Sequence, residues 1–253
     1  MQNRRRSIVL FLVIFFTSCQ SVVFAAGNST THNRLQQLIN SDDRSERMRM
    51  RNRYRHPLET LSFMDIQPDQ TVVEIWPGGS ASSGWYRSIL EPFFAGQAGK
   101  YVPVQNSSSF PDRVESVPDS SADRVLVFRA HGFLIYKKPI DTYYQELYRM
   151  LKPGGIFGIV DHRELENKVQ DPKGENGYVQ QSYLIKLAEK AGFQLLEQSE
   201  INGNPLDTKD HPDGLYSLPP TLSGTTFNSS LKKKMQSIGE SDRMTLKFIK
   251  PLT

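Results

Sequence analysis

The chain predicts a doubly wound α/β domain, and three stretches carry that reading. Val72-Val-Glu-Ile-Trp-Pro-Gly-Gly79 is an apolar run that ends on a carboxylate and passes at once into a turn. That is how a strand opens a sheet that receives its ligand beyond the carboxyl edge. Arg124-Val-Leu-Val-Phe128 and Ile156-Phe-Gly-Ile-Val160 are short apolar runs rich in β-branched residues, as buried strands require. Between them Ile140, Tyr143, Tyr144, Leu147, Tyr148 and Leu151 share one face of a helix.

The 253 residues suffice for one sizeable domain plus a leader. Arg4, Arg5 and Arg6 supply three of the four net positive charges, and no acid precedes Asp42. The rest of the chain is nearly neutral, which gives no case for a nucleic-acid partner.

Residues 1–26 read as an export signal. A basic start precedes the apolar run Ile8 to Phe16, which is shorter than the roughly 20 residues that span a bilayer. Val23-Phe24-Ala25 offers small residues near a cleavage point. Thr17-Ser18-Cys19 offers an alternative of lipoprotein type, in which an acylated Cys19 would attach the protein to a membrane. Cys19 is the only cysteine, so no internal disulfide is available. The expected location is periplasmic or secreted, lipid-anchored in the second case.

Residues 27–56 are expected to hold a polar linker, Gly27 to His32, and a helix over Asn33 to Arg55 whose later part is basic. That basic face reads as a solvated surface, or as an anion contact or a lid over a pocket. His56-Pro57 ends the helix, since proline pushes its predecessor out of the helical region. Residues 57–253 form the main domain. Leu58 to Met64 makes a short helical step, and the first strand starts at Thr71. Trp85 to Phe94 is a helix, Tyr101 to Val104 the second strand, and Arg113 to Val117 a short third strand. Pro139 and Asp141 suit the start of the next helix; Pro153-Gly154-Gly155 stops it before the Ile156 strand. Val179 to Ala191 is a helix closed by Gly192, and Phe193 to Ile201 a strand. Arg243 to Lys250 is the last strand, with Met244, Leu246 and Phe248 on one face. The polar excursion Asn202 to Asp242 separates those two strands, a length that usually marks function.

Ala122-Asp123-Arg-Val-Leu-Val-Phe128 followed by Tyr148-Arg-Met-Leu-Lys-Pro-Gly-Gly-Ile-Phe-Gly-Ile-Val160, with two last strands joined by a long excursion, resembles class I S-adenosylmethionine-dependent methyltransferases over about Pro57 to Pro251. The chain is similar to a group of exported, predicted methyltransferases of bacteria. Segments similar to that group include Ser199-Glu-Ile-Asn202, Asp207-Thr-Lys-Asp-His-Pro212, Leu218-Pro-Pro-Thr221 and Gly239-Glu-Ser-Asp-Arg-Met244. The resemblance implies a mostly parallel seven-stranded sheet with an antiparallel last strand. It implies S-adenosylmethionine as cofactor and a small-molecule or envelope substrate. It places Glu74, Trp76, Pro77, Gly78, Gly79, Gln105 and Arg129 around the cofactor. Trp76 stands at the first glycine position of the motif, and Ser80 at its last. Gln105 stands where a second acid usually binds the ribose hydroxyls.

His131, just past the Arg124–Phe128 strand, reads as a general base or a surface histidine. Asp161-His162 and Asp210-His211 are expected to converge on one pocket, which makes Asp161, His162 and His211 catalytic candidates. No two histidines have short metal-ligand spacing, so no metal site is assigned. No Gly-x-Ser-x-Gly elbow occurs, which argues against an α/β-hydrolase. The same fold without cofactor competence, gripping an envelope partner, is the alternative.

Overall fold

The computed structural model describes residues 19–78, 84–105, 109–135 and 138–252, with side chains from residue 29 onward. Its centre is a sheet of seven strands in the order β2-β1-β3-β4-β7-β6, with β5 paired to β4 off that path. The strands are β1 (Thr71–Ile75), β2 (Lys100–Val104), β3 (Ala122–Val127), β4 (Leu151–Glu164), β5 (Val179–Gln180), β6 (Gln194–Ser199) and β7 (Arg243–Ile249). All pairings are parallel except those of β7, which runs antiparallel to both β4 and β6. The antiparallel last strand is therefore observed.

Alternation along the strands sends side chains to two cores. Val73, Ile75, Val125, Val127, Phe157 and Ile159 join one, beneath α7 (Ile140–Met150) and α8 (Gln181–Lys190). Val72, Leu126 and Val160 join the other, beneath α1 (Cys19–Ile39), α4 (Pro57–Phe63) and α5 (Arg87–Phe94). Helices thus cover both faces, which is why these strands read as continuous apolar runs. Gly158 on β4 lets the second layer approach, because a Cβ there would lie 2.4 Å from Met64 Sδ.

Four expectations need correction. The linker expected at Gly27 to His32 is part of α1. The single helix expected over Asn33 to Arg55 breaks after Ile39 and resumes as α2 (Glu46–Arg49) and α3 (Asn52–Arg55). The break has a cause: Arg44 turns inward, 2 % exposed, and donates to the Ile39 carbonyl at 2.6 Å and to Ser88 at 3.0 Å. Arg113 to Val117 is not a strand; Glu146 of α7 accepts from the Val114 amide at 2.8 Å, and the seventh strand is the two-residue β5 instead. Finally, Pro153-Gly154-Gly155 does not separate helix from strand: β4 begins at Leu151, runs through the glycines with a register shift against β3, and ends at Glu164.

The expected export signal up to Ser18 lies outside the described residues. Among the described residues, no helix is long and apolar enough to cross a membrane.

Candidate active site

A cavity of about 420 Å³ opens beyond β1 and β3 and alongside the far half of β4. β1 pairs with β2 on one side and β3 on the other, and the chain crosses from β2 back past β1 to β3, so the cavity sits where the strand order reverses. Arg51 and Arg55 cover it from the N-terminal side, and Leu215 to Thr221 of the excursion from the other.

The turn after β1 forms one wall. Glu74 is 2 % exposed and accepts from the Tyr101 hydroxyl at 2.7 Å. Burial pushes its carboxyl up to about 7, although the Tyr101 hydrogen bond and the charges of Arg129 and Arg87 pull the other way. Trp76 takes a φ of +51°, left-handed and costly for a bulky residue. This turns its indole away from the sheet edge into an aromatic cluster. The ring packs edge-on against Phe133 at 5.2 Å, Phe110 at 5.7 Å and Tyr143 at 6.1 Å. Trp76 is thus a packing residue that also lines the cavity, together with Pro77 and Gly78. Gly78 has a φ of +85°, and a Cβ on the facing Gly84 would lie 2.6 Å from the Pro77 carbonyl. The turn therefore closes on its own exit, which only glycine permits there. Gly79 and residues 80–83 lie outside the described residues. Arg129 lines the cavity and donates to the Trp76 carbonyl at 3.1 Å. It also lines a smaller hollow of about 190 Å³ that shares Trp76, Phe128 and His131 with the first.

The opposite wall holds the histidines. His131 Nδ1 meets Asp161 Oδ1 at 2.6 Å, and Asp161 Oδ2 accepts from the His131 amide. Asp161 is 1 % exposed and also accepts from the His162 amide at 2.7 Å. With Nδ1 held, His131 keeps Nε2 for a ligand in the cavity. His162 uses Nδ1 on Ser241 and lies 5.2 Å from the His131 ring, centre to centre. Desolvation, then the charges of Arg243, His131, Arg55 and Arg129, hold the His162 pKa well below the usual histidine range, so its imidazole is neutral.

His131, Asp161 and His162 offer three donor atoms within 4.8 Å of one another. Their surroundings fit a resident cation poorly: both Asp161 oxygens are engaged, and four arginines line the same cavity.

Two expected residues fall elsewhere. His211 does not reach this cavity; its Nε2 meets Asp207 at 2.8 Å. Asp207 also takes the Tyr178 hydroxyl at 3.1 Å and the Asp242 amide at 2.8 Å, so that pair pins the excursion to the start of β7. Asp210 is exposed and bonds Thr208. The two Asp-His dipeptides therefore do not converge. Gln105 is half-buried and lines neither cavity, so among the described residues no side chain of β2 or just past it stands in for the expected ribose acid.

Arg51, Arg55 and Arg243 meet at Glu240, which is 2 % exposed. The density of arginine before Pro57 hints at an anion contact, but the shared carboxylate lies 185 residues from Arg55 and carries no sequence signal.

No protein-family model matches the chain. It is similar to sterol 24-C-methyltransferase erg6 of Aspergillus fumigatus, with 27% identity over 35% of this chain and 26% of that protein. The Schizosaccharomyces pombe counterpart shows 26% identity over 38% of this chain and 26% of its own length. The chain thus spans about a quarter of the curated relatives it matches. Among solved structures, the 4+2 cyclase SpnF superposes with a TM-score of 0.54 at 14% identity, covering 90% of this chain and 96% of that one. An S-adenosylmethionine-dependent methyltransferase of Aquifex aeolicus gives 0.47 at 18% identity, over 68% of this chain and 93% of that one. The mostly parallel seven-stranded sheet with its antiparallel β7 is of the class I methyltransferase type. That SpnF is a cyclase shows that this fold alone does not name a reaction.

Proposed function

We propose that the chain binds S-adenosylmethionine in the 420 Å³ cavity and methylates a small molecule. The volume is in the range of small-molecule sites. The observation that carries the reading is Glu74: a buried carboxylate on the cavity wall, at the end of β1, which no cation among the described residues pairs. A group pushed up to about 7 by burial gains most from an arriving ammonium, which is what the amino-acid end of S-adenosylmethionine offers. The left-handed Gly78, facing Gly84, keeps the turn beside it free of side-chain bulk. At the ribose end the usual acid is replaced by Gln105, off the cavity, so the fit is to the methionyl half. The partial match to sterol methyltransferases supports the same reaction class.

S-adenosylmethionine, when bound, supplies an electrophilic methyl group. The chain's own task is alignment and exclusion of water, which the roof of Arg51, Arg55, Pro219 and Pro220 serves. His131 takes the acceptor's proton at Nε2, and Asp161 fixes the ring and stabilises the imidazolium. His162, kept neutral, accepts a hydrogen bond or donates one without adding charge. We place the protein outside the cytoplasm, periplasmic or secreted, on the strength of Arg4-Arg5-Arg6 and the Ile8 to Phe16 run; acylation of Cys19 would anchor it. An envelope component is then within reach as acceptor. The filled aromatic side of Trp76 and the missing ribose acid favour one second reading, a cofactor-free binding module of the envelope.

Calorimetric titration with S-adenosylmethionine and S-adenosylhomocysteine separates the two. Methyl transfer requires saturable binding, weakened about tenfold or more by Glu74→Ala. No heat at millimolar ligand would leave only the binding module.

A further inference from the structure

The roof of the cavity is more basic than a fold-pinning contact needs. Arg51 and Arg55 each give Nε to Glu240, and Arg243 gives Nη2 to the same carboxylate. Three guanidinium groups therefore share one negative charge. Arg129 adds a fourth on the same cavity, where it donates to the neutral Trp76 carbonyl. Among the described residues the terminal nitrogens of Arg51 and Arg55 make no hydrogen bond, although both side chains are about four-fifths buried. These are the forked N–H pairs that suit a carboxylate or phosphate. Desolvation and the neighbouring Arg243 and Arg51 push Arg55 down to about 9 even with Glu240 beside it, which is what uncompensated positive charge does. Beside the arginines the wall turns aromatic. Trp85 lies under Arg55 at 4.9 Å, and Tyr86 stacks on Phe128 at 3.9 Å.

The geometry points to an anionic acceptor: a small molecule with a carboxylate or phosphate held by Arg51 and Arg55, with the charge of Arg243 behind them, its apolar body against Trp85, Tyr86 and Phe128, and its reacting atom toward His131. The inference rests on the methyltransferase reading for what happens to that molecule, but not for its binding. The same anion chemistry has a second source, the carboxylate of S-adenosylmethionine itself, and the test has to tell them apart.

Benzoate and phenyl phosphate serve as anionic probes and benzamide as the uncharged one, each titrated into the full chain and into Arg51→Gln. Arg51 is far more exposed than Arg243 and bonds Glu240 through Nε alone, so its replacement disturbs the fold less. A melting curve within a few degrees of the parent's confirms a folded variant; should it fail, Arg55→Lys, which keeps the charge and loses the fork, takes its place. The anions should bind, benzamide should bind about tenfold more weakly, and Arg51→Gln should cost the anions about tenfold while leaving S-adenosylmethionine within about twofold. Benzamide binding as well as benzoate, or anions indifferent to the variant, would overturn the inference. Loss of S-adenosylmethionine in step with the anions would assign the arginines to the cofactor's carboxylate, overturning it while the methyltransferase reading stands. Anion binding without any S-adenosylmethionine binding would do the reverse.

Discussion

Glu74 and Glu240 line or border the same cavity and are equally buried, each 2 % exposed. Their charges are set in opposite directions. Burial dominates at Glu74 and pushes it up to about 7, with the Tyr101 hydroxyl and the charges of Arg129 and Arg87 in partial opposition. At Glu240 burial is again the largest single influence, yet Arg243, Arg55 and Arg51 together outweigh it and hold the carboxyl at about 2. Depth therefore does not decide the charge of a carboxyl here; the company it keeps does. Glu240 is a counter-ion already in use. Glu74 is a carboxylate still short of a cation, and under the proposed function that difference suits Glu74 to the cofactor's ammonium and the arginines around Glu240 to an acceptor's anion.

The sharpest way to break the contrast is Glu240→Gln. It leaves three partly buried guanidinium groups around a neutral amide, and removing one partner of a buried ionic cluster costs about 3–5 kcal/mol. Urea unfolding near neutral pH should show that loss. The sign with pH follows from a folded pKa held below its usual 4.5. The contribution is complete above that value and disappears as pH falls toward about 2, so the variant should lose part of the parent's acid limb. A change under about 1 kcal/mol would mean the arginines do not need Glu240.

Glu74→Gln should act the other way, with a somewhat smaller effect. The folded pKa of Glu74, about 7, lies above the usual 4.5. The protonated carboxyl is what the fold prefers, so its contribution is complete below about 4.5 and lost as pH rises through about 7. A glutamine never pays that penalty. The variant should match the parent near pH 5 and exceed it near pH 8, by roughly 3 kcal/mol at most. In the parent, S-adenosylmethionine binding near pH 6 should release part of a proton, read as a buffer-dependent binding enthalpy, and the variant should release none. Equal stability profiles for the two proteins would erase the distinction from Glu240.

Much of the frame was legible because local rules agreed with the fold. The Ile140–Met150 face, the runs at Val72, Arg124 and Ile156, and the alternation of Met244, Leu246 and Phe248 each answer to one period and one core. Arg113 to Val117 misled because Val114 and Val117 are buried, yet their segment spends its backbone on Glu146 rather than on a strand. The site was less legible for the same kind of reason. Glu74, Trp76 and Gly78 follow a strand directly and could be placed from it. His131 and Asp161 meet only because β3 and β4 pair in parallel. His211 found Asp207 instead, four residues away, and not the adjacent Asp210. The cluster at Glu240 draws on both ends of the chain, and nothing local marks a charge whose partners arrive by folding.

The finest probe of the contrast is Tyr101→Phe. Burial and the adjacent Glu74 hold the Tyr101 phenol far above its ordinary pKa, so it is a hydrogen-bond donor at every working pH. Its 2.7 Å bond favours the ionised form of Glu74. Phenylalanine keeps the ring and removes the donor, so the carboxyl should climb further, and the loss of stability with rising pH should continue to higher pH and grow larger than in the parent. Above about pH 7 the variant should be about 1 kcal/mol less stable than the parent, and the gap should narrow in acid, where a protonated Glu74 supplies its own donor. Urea unfolding across that range checks both. A gap that stayed constant with pH would trace the loss to packing, and would mean that Glu74 owes its poise to burial alone.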